Sequence, residues 1–482
     1  MTWGMLLVLA CLCALAIGTA TTAQAQERNT YLLSRSFDGG LPNGESRNPT
    51  ISRDQRISRY IAYESDATNI VHGDTNGMTD IFLVKRSAPW RWNGTPWHIG
   101  PVKIASQGTN GEPANGRSYK PSLSGTGSTN PTCLGFISEA SNLVPGDTNG
   151  VADAFVYNLK SGKLKRVSVN SRGAQANGPT TEISVDGKCR RVAFVSTATN
   201  LAYTGGGPKS WKTAQTTENT NGYRQVFVHV LKDPYKRLTF LASASKSRKA
   251  ANSDAYQLSF ARFGHFVAFT STATNLSPRD GDGGEDVYRR AFERGKWGKS
   301  FTFSTTLVSE RNGTRGNGPS SHPSINEYGQ YVAYQSDASN LLAGDTNGVT
   351  DIVRADLATH RNIWVSLSVD GPANAASVGP EISGGGLFVF FASKATNLRP
   401  GKKIRPVANG QQNVMLWNKN NRHVSIEARD HERRYLDGPA SNPTSSLRGN
   451  YVLFESSATA ADKLIRNFTQ RDQVYMLYLG PK

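Results

Sequence analysis

The sequence predicts an all-β fold, a seven-bladed β-propeller of four-stranded antiparallel blades closed by an N-terminal strand that joins the last blade. Three observations predict it. A Ser-x-Ala-x-Asn motif recurs at Ser65–Asn69, Ser138–Asn142, Ser196–Asn200, Ser271–Asn275, Ser336–Asn340 and Ser393–Asn397, with a worn copy at Ser456–Ala460. Internal repetition at roughly this period marks an array, a solenoid or a propeller. Each copy sits among four short strand-like segments with no helical period. The chain is also rich in glycine, 47 residues against a hydrophobic content of 37%, which suits many short strands joined by turns.

The fifth unit gives the elements in order. His322–Asn326 is a short strand ended by a glycine-containing turn. Gln330–Ser336 alternates apolar and polar residues and reads as a second strand. An Asn-to-Asp loop follows, then Asp351–Leu357 as a third strand and Asn362–Ser368 as a fourth. Four strands joined by hairpins make a propeller blade. The seven blades fall around 41–110, 111–170, 171–245, 246–310, 311–370, 371–430 and 431–482. The last unit ends on a third strand within Gln473–Lys482, with no fourth after it. Tyr31–Gly40 resembles the fourth strands of other units, so the segment 31–36 is expected to complete blade seven. Closure leaves no ring interface unpaired.

The units, as in the stretch Pro323–Val353, resemble the WD-type (PD-type) propeller repeats of the TolB-like family, over essentially residues 31–482. The resemblance implies an exported bacterial propeller without the α/β domain that precedes the propeller in TolB proteins themselves.

Residues 1–25 read as a signal peptide, with an apolar run from Leu6 to Ile17 and a small-residue cleavage site at Ala23–Ala25. The run is short for a membrane span, and no later stretch is long and apolar enough for one. Export and release to the periplasm or the exterior are expected. Cys11 and Cys13 leave with the leader. Cys133 and Cys189 remain, either as one disulfide or as two buried thiols. The formal charge of +18 either attracts polyanions or only keeps a secreted protein soluble. The expected partner is an envelope or extracellular protein or glycan, anionic ones included. Nucleic acid is not expected, and a monomer is.

Four loops between second and third strands share an acidic pattern: Asp74/Asn76/Asp80, Asp147/Asn149/Asp153, Asp280/Asp282/Asp286 and Asp345/Asn347/Asp351. The other units lose it, with Asn219/Asn221/Gln225, Asn409/Asn413 and Asn467/Gln473 in its place. These loops should gather on one rim, beside the blade-to-blade segments. Two carboxylates, an amide and loop carbonyls supply most of a calcium shell. The same side chains also cap their own turns by accepting backbone N–H groups. Both readings stand at this point.

Trp90, Trp92 and Trp97 in one long hairpin, and Trp297 in another, lie beside Arg and Lys. They suit stacking on a ligand, or cross-strand packing. No hydrolase elbow, zinc-protease motif or phosphate loop occurs, so no catalytic residue is assigned. Glu182 and Glu381 each precede an Ile-Ser on a first strand; a pair of acids pointing into the channel is the catalytic reading of them, and burial or pairing with a nearby arginine is the default. The function expected is a non-catalytic binding or interaction scaffold in the envelope or outside the cell, a rigid ring with calcium as a candidate stabiliser. The alternative is a hydrolase or lyase acting on polysaccharide at the central channel.

Overall fold

The computed structural model describes residues 30–480, apart from 55–56, 88–98, 206–211, 213–214, 217–218, 220, 233–236, 295–300, 399–409, 431 and 433. The segment 1–25 expected to be a signal peptide and all four tryptophans considered for stacking lie outside these residues. Among the described residues there is no α-helix, and no helix is long and apolar enough to cross a membrane.

Seven four-stranded antiparallel sheets form the chain. Their first strands are Ser46–Ile51, Ser118–Leu123, Thr180–Val185, Ala255–Phe260, Ser320–Ile325, Ser377–Ile382 and Ala440–Ser445. These first strands touch one another in ring order, and the first lies beside the seventh. The fold is therefore a closed seven-bladed propeller.

Closure uses Thr30–Leu32, which pairs antiparallel with Gln473–Tyr478 in the register Thr30 to Leu477, Tyr31 to Met476 and Leu32 to Tyr475. The strand is shorter than the segment 31–36 read from the sequence. The Leu33 N–H still reaches the Val474 carbonyl at 2.8 Å, but the chain then turns, with the Ser36 N–H donating to the Gly40 carbonyl at 3.1 Å. That turn carries the backbone from blade seven into blade one.

Hydrophobic residues collect into seven clusters, and each lies between two neighbouring blades. The middle strands are consequently buried on both faces, as in Arg191–Ser196, Gln225–Val230 and Tyr451–Ser456. The alternation read in Gln330–Ser336 does not separate core from solvent. It separates the face toward one neighbouring blade from the face toward the other.

The repeated asparagine fastens the start of each second-to-third loop to the segment entering its own blade. The Asn43 N–H donates to Asn69 Oδ1 at 2.8 Å, while the Thr68 N–H donates to Asn43 Oδ1 at 2.9 Å. The pairs Asn115/Asn142, Asn177/Asn200, Asn252/Asn275, Asn317/Asn340 and Asn374/Asn397 repeat the first of these bonds. In the worn seventh copy Asp437 accepts from the Thr459 N–H at 2.8 Å. The glycine after Asn43 is required by close approach, because a Cβ on Gly44 would lie 2.5 Å from the Ala67 nitrogen.

Candidate functional site

Each first strand is the inner edge of its sheet, so its free side borders the central channel. All seven carry a register shift at mid-strand. In six of them a residue takes a left-handed conformation there: Asn48, Lys120, Gln257, His322, Gly379 and Asn442. A bulge re-aims its side chain and ends regular pairing. In five blades proline follows, at Pro49, Pro121, Pro323, Pro380 and Pro443. Proline has no N–H to leave unpaired, which suits an exposed inner edge. Together with Glu182, Arg224, Tyr256 and Glu381 these residues line a cavity of about 640 Å³.

The bulges leave backbone N–H groups that glutamate and glutamine side chains satisfy across blade boundaries. Glu455 Oε1 accepts from the Asn48 N–H at 2.6 Å, and Glu64 Oε2 from the Lys120 N–H at 2.7 Å. Gln335 Oε1 accepts from the Gly379 N–H at 3.1 Å, and Gln257 Oε1 from the His322 N–H at 3.0 Å. Blade three has Val195 where blade one has Glu64, and Glu182 takes over the task. Its two oxygens accept the Gln257 and Leu258 N–H groups at 3.1 and 3.0 Å. Burial raises Glu455 above the usual carboxylate range. Glu381 is paired with Arg53 and accepts from Ser324 Oγ at 2.8 Å. Arg224 binds Asp254 at 2.8 Å and lies 4.1 Å over the Tyr256 ring. His322 Nε2 faces the Gln257 amide at 3.0 Å, and desolvation in the channel lowers its pKa. Lys120 is exposed.

The opposite end of the channel is crowded by the turns that follow the first strands. Gly125 N–H donates to the Gly187 carbonyl at 2.8 Å, Gly187 to Arg262 at 2.7 Å, Phe263 to Glu327 at 3.3 Å, Glu327 to Gly384 at 3.1 Å, and Gly384 to Leu447 at 3.1 Å. The Gly127 N–H also reaches Glu327 Oε1 at 3.0 Å, from blade two to blade five. These contacts make a floor, so the channel is a cup open at one end.

The acidic loops and the blade-to-blade segments share a rim, since Asn76, Asn149 and Asn347 each donate to a carbonyl of such a segment at 3.1 Å. In all three loops the same amide also donates to the last Asp, at 2.8 to 2.9 Å. The four acidic loops differ in what neutralises them. In blade two Arg166 lies 2.7 Å from Asp147 and 3.4 Å from Asp153. In blade four Arg315 lies 2.5 Å from Asp282 and 3.3 Å from Asp286, while Tyr288 donates to Asp280. In blade five Trp364 Nε1 and Ser366 Oγ donate to Asp351 at 2.9 and 2.5 Å. In blade one Ser106 and Asn76 serve Asp80, but no side chain donates to either oxygen of the buried Asp74, which has only the Asn76 backbone N–H near it. Burial, and then the Asp80 carboxylate, push Asp74 up to about 6.

Cys133 and Cys189 form a disulfide between blades two and three, with Cα atoms 6.0 Å apart. Cys189 lies in the turn before Arg191–Ser196 with a φ of 50°. The cup residues other than Glu182 and Glu381 escape a reading based on chemical motifs. Their signal is positional: Asn-Pro, Lys-Pro, His-Pro, Gly-Pro and Asn-Pro recur at one place in five units.

No family model matches this sequence, and no curated protein matches it. Among solved structures, an oligogalacturonate lyase in complex with manganese is similar with a TM-score of 0.50 at 11% identity, over 94% of this chain and 96% of that one. An oligogalacturonate lyase from Vibrio parahaemolyticus gives 0.49 at 11% identity, over 94% and 97%. A putative TolB from Agrobacterium tumefaciens gives 0.38 at 12% identity, over 79% and 94%. At such identities the likeness is one of fold. Among the described residues, the one group of three carboxylate, His or Cys side chains close enough to hold a metal is Asp280, Asp282 and Asp286, on the rim and not in the cup.

Proposed function

We propose that the protein is an exported, non-catalytic binding propeller of the envelope or the extracellular space, and that its cup holds a polar segment of a protein or glycan partner. One observation carries the reading: the carboxylates around the cup are already committed to structure. Glu64, Glu182 and Glu455 hold backbone N–H groups of the following blade, and Glu381 is paired with Arg53. A general acid or base must be free to exchange a proton with substrate; moving Glu64, Glu182 or Glu455 would uncap a strand, and moving Glu381 would strip Arg53 of its carboxylate. Lys120 is exposed, and Asn48 and Asn442 spend amide N–H groups on Glu64 and Glu455 at 2.9 and 2.8 Å, which leaves their side-chain oxygens as acceptors beside rigid prolines. Donors and acceptors so interleaved suit hydroxyl or amide groups. The leader-like first segment and the disulfide support export.

The second reading, a hydrolase or lyase acting on polysaccharide, is favoured by Lys120 and His322 lining the same cup. One experiment separates the two. Lys120→Trp fills the cup while its backbone N–H can still reach Glu64. Cosedimentation with isolated envelope polysaccharide and with envelope protein fractions is expected to show binding by the native chain. The variant should lose at least about tenfold, or about 1.4 kcal/mol, in affinity with an unchanged melting temperature. Undiminished binding by the variant would sink the cup as the binding site. Release of new sugar ends by the native chain would establish the enzymatic reading instead.

A further inference from the structure

The four acidic loops are an experiment already done within one chain, because the same motif sits on the same rim with different surroundings. The decisive position is two residues before the serine that donates to the last Asp. In blade two it is Arg166, before Ser168, and its guanidinium spans the two carboxylates. In blade five it is Trp364, whose ring N–H serves Asp351. In blade four it is Leu307, and Arg315 arrives from the blade-to-blade segment in its place. In blade one it is Ile104, which can neither donate nor carry charge, and it is largely buried at 9% exposure.

Asp74 is 8% exposed, no side chain donates to either of its oxygens, and it lies beside the Asp80 carboxylate with only the Asn76 backbone N–H to oppose its charge. An ionised carboxylate taken out of water without a counter-charge costs several kcal/mol, and an unsatisfied buried group in a native protein calls for a physical cause such as a bound ion. We infer that the blade-one loop from Asp74 to Asp80 is a calcium site, and that blades two and four carry an arginine where blade one takes the metal. Both Asp74 oxygens, an Asp80 oxygen and loop carbonyls supply the hard, oxygen-only donors that calcium prefers. Its tolerance of irregular geometry fits a loop bent at Gly73 and Gly77, with φ of 82° and 62°. Magnesium, which demands a near-ideal octahedron, is the poorer match.

The test is calorimetric titration of the full chain with calcium chloride, alongside melting curves in calcium and in chelator. The native chain is expected to bind calcium and melt higher in its presence. Asp74→Asn should weaken binding by at least about 100-fold. Ile104→Arg, which copies the blade-two arrangement, should also abolish binding but leave a folded protein that melts at least as high as the calcium-free native chain. This second variant carries the test if Asp74→Asn does not fold. No heat and no melting shift with the native chain would overturn the inference. So would calcium binding that survives Ile104→Arg, or that is lost with Asp280→Asn and kept with Asp74→Asn.

Discussion

Deleting residues 30–34 is expected to abolish cooperative folding. Leu32 and Leu33 are both fully buried, yet they point into different interfaces: Leu32 into the cluster between blades six and seven, Leu33 into the one between blades seven and one. Truncation of a buried leucine to alanine costs about 2–5 kcal/mol, so losing both removes much of the roughly 5–15 kcal/mol that holds a typical domain folded. The deletion does further damage. Asp462 Oδ2, which accepts the Leu32 N–H at 2.7 Å, loses that partner while 3% exposed. Gln473–Tyr478 becomes a bare edge strand of almost wholly apolar residues, a template for aggregation. Guanidinium unfolding should find Leu32→Ala and Leu33→Ala each destabilised by about 2–5 kcal/mol, and the deletion insoluble or without a cooperative transition. A soluble deletion variant with a native-like transition would show that the ring does not depend on this strand.

The ring was legible because seven copies of one pattern can be laid over each other, and Ser-x-Ala-x-Asn survives in six. The motif persists for a reason that the structure supplies: its asparagine accepts the backbone N–H of a second asparagine before the first strand, and that second one accepts the N–H of the residue preceding the first. The inner edge was less legible. A bulge of one or two residues reverses which side chains face the channel, and nothing in the composition of a six-residue strand announces it. Proline marks the place in five blades, because only a strand edge or a bulge tolerates the missing N–H. Glu182 and Glu381 were traceable to the channel from their position on first strands. Glu381 does pair with an arginine, the default reading, but that the partner is Arg53, and that Glu182 serves the Gln257 and Leu258 backbone, was not traceable, since those partners lie in other blades.

The acidic loops illustrate the same boundary. By spacing alone the four are near-identical, and calcium and turn-capping are equally consistent with each. What separates them is a residue on the fourth strand or the blade-to-blade segment: Ile104, Arg166, Arg315 or Trp364. The loop sequence does not encode that choice. Aligning the fourth strands of the units on their serine does bring out three of these four, but their meaning depends on side-chain direction in the folded blade.

Reducing the Cys133–Cys189 disulfide is expected to cost about 4 kcal/mol by the chain-entropy relation, given a sequence separation of 56 residues. Cys189 makes a sharper experiment available. It occupies the turn position that Gly264, Gly329, Gly386 and Gly449 hold in the next four blades, each with a φ of 70° to 76°. A side chain in this left-handed region costs roughly 1–2 kcal/mol relative to the right-handed one, a penalty glycine does not carry. The bridge thus offsets a backbone conformation unfavourable to the residue that makes it. Two bridge-free variants should therefore differ. Cys133→Ala with Cys189→Ala keeps the strained side chain and should lose the full amount of about 4 kcal/mol. Cys133→Ala with Cys189→Gly should recover about 1 kcal/mol of that loss. Guanidinium midpoints of both variants, and of the native chain with and without reductant, decide the matter. Equal midpoints for the native chain in the two conditions, with two free thiols found by mass spectrometry of the unreduced protein, would remove the bridge from the account. An alanine variant as stable as the glycine variant would instead remove the strain.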